Sequence, residues 1–111
     1  MRSCRIISVL LILALTGCPA HMLTIRLVNT STHPISTIIV DYPSATFGKD
    51  KLAPAETFSS PVKITDTGAL RVQFTDAAGA IHKYTGLTLH PNQEGSIEIQ
   101  LDQAGAKAEA R

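Results

Sequence analysis

The sequence predicts an all-β protein, a single antiparallel β-sandwich of about seven strands, and three observations predict it. Between residues 23 and 102, apolar and polar side chains alternate in short runs, which is the period of half-buried strands. Clusters of Pro, Gly, Asn and Asp separate these runs at a spacing of roughly 8–12 residues. No segment within that span carries an apolar stripe at helical period. One domain accounts for the 111 residues.

Residues 23–29 open the pattern with Leu23, Ile25 and Leu27 on one face and Thr24, Arg26 and Val28 on the other. The turn-rich run from Asn29 to Pro34 ends this strand, and its proline disfavours helix at His33. Residues 35–42 form the next strand, whose centre, Ile38-Ile39-Val40, is β-branched and apolar on both faces, as an interior strand should be. Residues 42–48 are punctuated by Pro43 and Gly48 and read as a connection. Its rings, Tyr42 and Phe47, are candidates for a recognition loop, since aromatics are favoured at interface hot spots, or belong to a short strand or corner that closes one end of the core. Gly48-Lys49-Asp50-Lys51 reads as an exposed polar run.

Phe58, Val62 and Ile64 are the inward residues of the following strand. Pro61 lies inside it and cannot donate to a ladder, so this strand belongs at a sheet edge or at a bulge. After the turn Asp66-Thr67-Gly68, residues 69–75 alternate most regularly, with Leu70, Val72 and Phe74 inward. Asp76-Ala77-Ala78-Gly79 is the loop of a hairpin leading to residues 80–85, with glycine where a positive φ is needed. Residues 87–89 are a short separate alternation, and residues 96–102 close the domain through Ile97, Ile99 and Leu101. Residues 103–111 are rich in Ala and charge and read as a disordered or frayed tail.

The segment before this domain has a different character. Arg2 and Arg5 form a basic start, residues 6–15 are apolar apart from Ser8, and the run ends in Leu15-Thr16-Gly17-Cys18. This order of parts fits a cleavable signal, and the apolar run falls short of the about 20 residues needed to span a bilayer. The four-residue run resembles the lipobox of bacterial lipoproteins. The resemblance implies that residues 1–17 are a signal peptide cut between Gly17 and Cys18, with acyl chains carried on Cys18. Residues 18–22 are then a short tether. Its residues Pro19, Ala20, His21 and Met22 reach on the order of 15 Å when extended, so the domain at 23–102 lies close to the membrane. Pro19 rather than Asp follows the cysteine, which by the sorting rule of some diderm lipoproteins implies an outer-membrane location facing the periplasm. The strand layout likewise resembles the immunoglobulin-like and transthyretin-like sandwiches of exported bacterial proteins, without the cysteine pair and buried tryptophan of antibody domains.

Cys4 falls in the signal and Cys18 is the lipid site, so no disulfide is expected and core packing alone must hold the domain. The chain has 10 basic and 9 acidic residues. Without Arg2 and Arg5 the processed chain has 8 basic and 9 acidic residues, too near neutrality to suggest nucleic acid as a partner. No nucleophile elbow, metalloprotease helix, phosphate loop or Cys-x-x-Cys is present. His21, His33, His82 and His90 share no metal-ligand spacing, and Asp66 and Asp76 are ordinary turn formers. No catalytic residue, metal or cofactor is therefore expected. The expected role is a non-enzymatic protein-interaction or structural module in the bacterial envelope, anchored to the membrane through Cys18 and able to bind an envelope protein. The alternative is a small-ligand or glycan-binding module that uses Tyr42, Phe47 and Tyr84 as stacking rings.

Overall fold

The computed structural model describes residues 21–111. Eight strands follow one another: β1 Leu23–Asn29, β2 Ile35–Tyr42, β3 Ala45–Leu52, β4 Thr57–Val62, β5 Gly68–Thr75, β6 Ile81–Leu89, β7 Gly95–Asp102 and β8 Gly105–Ala110. They form two four-stranded sheets, the first ordered β4-β1-β7-β8 and the second β3-β2-β5-β6. All neighbours are antiparallel except β1 and β7, which run parallel. The fold is thus the expected all-β sandwich.

Sixteen apolar side chains form the core between the sheets, and all but Phe74 are aliphatic. Burying each contributes about 1.5–3 kcal/mol relative to exposure. The inward residues expected for β1, β5 and β7 are all buried. β2 is an interior strand, but its two faces are reached through a bulge at Thr37, whose φ is +51°. The extra residue moves the inward set from Ile35 to Ile38 and Val40 and leaves Ile39 38% exposed on the outer face. β4 lies at a sheet edge, where the missing N–H of Pro61 is tolerated.

Two expectations are corrected, and of the two readings of residues 42–48 the short strand or corner is the one found. Tyr42 pairs with Ala45 across the two-residue turn Pro43-Ser44, and β3 continues through the polar run to Leu52. As an edge strand exposed on its outer face, β3 needs few apolar residues, and Phe47 and Leu52 supply them. Residues 87–89 are not a separate strand. They continue β6 past a bulge at Leu87, whose φ is +48°, and the added residue turns Leu89 inward. Residues 105–110 are not a frayed tail: they form β8, which pairs with β7 from Asp102↔Gly105 to Ile97↔Ala110. Its Ala106 and Ala108 pack against the core, and their small side chains suit the side where β8 meets β6.

Candidate functional site

Gly17 and Cys18, the expected cleavage and lipidation positions, lie outside the described residues. The described chain begins three residues after Cys18. His21 and Met22 run directly into β1, and Leu23 is already buried, paired with Val62 on one side and Gly95 on the other. The His21 ring pairs with the Glu94 carboxylate in the β6–β7 connection.

Short connections meet around this junction. Ser44 Oγ accepts from the Thr65 amide at 2.7 Å and from its hydroxyl at 3.0 Å. The Asn92 amide donates to the Ile64 carbonyl at 2.8 Å, and the Arg111 amide donates to Ser96 at 2.8 Å. The start of β1, the β2–β3 turn, the β4–β5 and β6–β7 connections and Arg111 therefore form one continuous end of the sandwich.

The opposite end is built on Asn29. Its side chain is fully buried; the amide donates to the carbonyls of His33 at 2.8 Å and Leu52 at 3.0 Å. Its oxygen accepts from the Ser31 amide at 2.9 Å and hydroxyl at 2.7 Å. All the hydrogen-bonding capacity of the amide is used, so Asn29 is a structural hub. At the same end Asp76 caps the β5–β6 loop, accepting from the Ala78 and Ala80 amides at 2.9 Å each and from His82 Nε2 at 2.8 Å. The His82 hydrogen bond above all, with the Ala80 amide next, holds the Asp76 carboxyl below the usual carboxylate range against the opposing effect of burial. The His82 ring stacks on Phe74 at 4.9 Å. The His82–Asp76 hydrogen bond thus staples β6 to the β5–β6 loop.

The aromatic residues do not converge on a recognition surface. Tyr42 and Phe47 are half-buried, with ring centroids 6.4 Å apart, and Phe47 lies 6.3 Å from Phe58 of β4 in the facing sheet. Lys49 extends the same closure, its Nζ 4.9 Å above the Phe58 ring. This inward-pointing charge also guards the open edge. Tyr84 lies on β6, the opposite edge of the second sheet, with its hydroxyl where a Cβ on Gly86 would fall. Strands spaced about 4.8 Å apart put roughly 14 Å between these edges. The three rings thus make no common platform for a sugar.

Two shallow depressions lie on the outer sheet faces. One, of about 310 Å³, is lined by Ile39, Asp41, Arg71, Gln73, Lys83 and Thr85, among others. Gly48 pairs with Ile39 and offers no side chain to cover it. The other, of about 330 Å³, surrounds Glu98, which accepts from Arg111 and Gln100 at 3.0 Å each and faces Arg26 across the β1–β7 pair. The Gln100 hydrogen bond first, then Arg111 and Arg26, hold Glu98 below its ordinary range, with burial opposing. Among the described residues no three His, Cys, Asp or Glu side chains are grouped as a metal site, and no helix is long and apolar enough to cross a membrane.

No family profile matches the chain, and no curated protein matches it. A solved NMR structure of a protein from Eubacterium rectale is similar, with a TM-score of 0.60 and 17% identity, over 81% of this chain and 88% of that one. At that identity the likeness extends to the fold alone.

Proposed function

We propose that this chain is a bacterial envelope lipoprotein, cut between Gly17 and Cys18 and anchored through acyl chains on Cys18. Its sandwich serves as a non-enzymatic protein-interaction or structural module beside the membrane, on the periplasmic face of the outer membrane in a diderm host. The observation that carries this reading is the lipobox placed five residues before an interior strand. A chain locked into a sheet at Leu23 leaves almost no slack between lipid and domain. Of the two sandwich classes the sequence resembles, the strand order supports the transthyretin-like one. Immunoglobulin domains keep their first two strands in one sheet, whereas β1 and β2 lie in opposite sheets here.

The test is fractionation of host cells expressing the wild type and Cys18→Ser, followed by crosslinking in intact membranes. The wild type is expected in the membrane pellet and to give a reproducible crosslinked protein, and the variant in the soluble fraction. Equal partitioning of both would contradict the anchor.

A second reading, a module for a small polar ligand, has the depression around Ile39, Arg71 and Lys83 in its favour. Its ligand would be held by ionic and hydroxyl contacts, since no ring lines that depression except the half-buried Tyr84. Titration calorimetry with Lys83→Ala as the control separates it from the first.

A further inference from the structure

We infer that the domain stands end-on at the bilayer. The end formed by Met22, the Pro43-Ser44 turn, Lys63 to Thr67, His90 to Glu94 and Arg111 is seated against phospholipid headgroups. The Asn29 and Asp76 end is held away. This rests on the lipidation of Cys18 proposed above.

The first argument is reach. Only Pro19 and Ala20 separate Cys18 from His21, and three peptide units extend at most about 11 Å. The second is the direction in which the chain leaves the domain. β1 is an interior strand of the first sheet, and its first residue is buried and paired on both sides. The tether therefore leaves from within the end surface instead of from a mobile corner, and the His21–Glu94 contact holds it against the β6–β7 connection. A single exposed ion pair is weak, but here it acts on a segment that the sheet has already fixed.

The third argument is the nature of the surface. Hydrogen bonds tie its connections together. It exposes Met22 beside the tether and Pro91 at a loop tip. The end carries Lys63, Asp66 and Glu94, the last paired with His21, while the Arg111 guanidinium turns to Glu98. Such a near-neutral surface accommodates zwitterionic headgroups without needing anionic lipid, so the tether alone sets the attitude. The sheet faces offer a poorer seat, since the first carries the exposed charges of Arg26 and Lys107 and the second those of Arg71 and Lys83. A strand of eight residues is roughly 26 Å long at about 3.3 Å per residue, which places the Asp76 loop and the exposed Ile81 far enough out to meet a partner in solution.

The experiment uses the full lipidated chain in phosphatidylcholine vesicles. Cys18 is capped by lipid and Cys4 is removed with the signal, so a single added cysteine takes a fluorophore specifically. Asp66→Cys and His90→Cys report the near end, Ala78→Cys and Ala104→Cys the far end, and a headgroup-labelled lipid serves as quencher. Quenching several-fold stronger at both near positions than at both far positions is expected. Equal quenching at the two ends, or stronger quenching at the far end, would overturn the orientation while vesicle flotation still showed the chain anchored. A chain whose mass shows no acyl groups and that fails to float with vesicles would overturn the anchor and the orientation together.

Discussion

Asn29 shows how one polar side chain can carry an end of a β-sandwich. It is buried among aliphatic residues, and its two donated and two accepted bonds hold the β1–β2 connection against Leu52. Asn29→Ala removes all four and strands buried carbonyls, so urea unfolding should show a loss of about 2–4 kcal/mol. Asn29→Asp should be destabilising as well, because a carboxylate cannot donate to His33 and Leu52. Asp76 and Glu98 set the response to acid. Both carboxyls sit below their ordinary values of 3.8 and 4.5 in the fold, so the unfolded chain takes up their protons first. Their contribution is complete above those values, falls as pH drops through them, and is gone below the folded pKa values. The urea midpoint of the wild type should therefore fall between pH 5 and pH 3, and Asp76→Asn should make that fall shallower. None of these partners was legible in the sequence. Asn29 and Asp76 both read as turn formers, and only the fold brings Leu52 and His82 to them.

Among the elements, regular alternation was legible and irregularity was not. Leu23, Ile25 and Leu27, or Ile97, Ile99 and Leu101, declare their inward face because the pleat has period two. The bulges at Thr37 and Leu87 shift that parity by one residue, and neither carries the glycine that usually marks a positive φ. β3 was hidden because an edge strand with one wet face needs few apolar residues. β8 was hidden because alanine favours helix intrinsically. The visible sign was the alternation of Ala106, Ala108 and Ala110 with Lys107, Glu109 and Arg111. Because β8 covers one edge of β7, truncation after Asp102 should lower the melting temperature and produce aggregates in size-exclusion chromatography. A frayed tail would be removable without effect. Likewise, if Phe47 seals the edge between β3 and β4, Phe47→Ala should cost about 2 kcal/mol in urea unfolding; an unchanged midpoint would restore it to a recognition role.

At the scale of the whole molecule, a sandwich without a disulfide follows from sixteen buried apolar side chains and, among the described residues, buried side-chain polar atoms that are all satisfied. The proposed anchor belongs to a separate part of the chain. It rests on four residues and their context, whereas no residue pattern points to a partner, because a β-sandwich does not dictate what it binds. With acyl chains on Cys18, the brevity of the link from Cys18 to Leu23 would couple lipid and domain. Lengthening that link with a flexible insert after Ala20 should abolish the end-on bias in the vesicle assay and leave the fold unchanged by circular dichroism. The most direct test of the central claim is the intact mass of the native protein recovered from host membranes. The account predicts the mass of residues 18–111 plus acyl chains. The mass of the same residues without lipid, or of the uncleaved 111-residue chain, would contradict it.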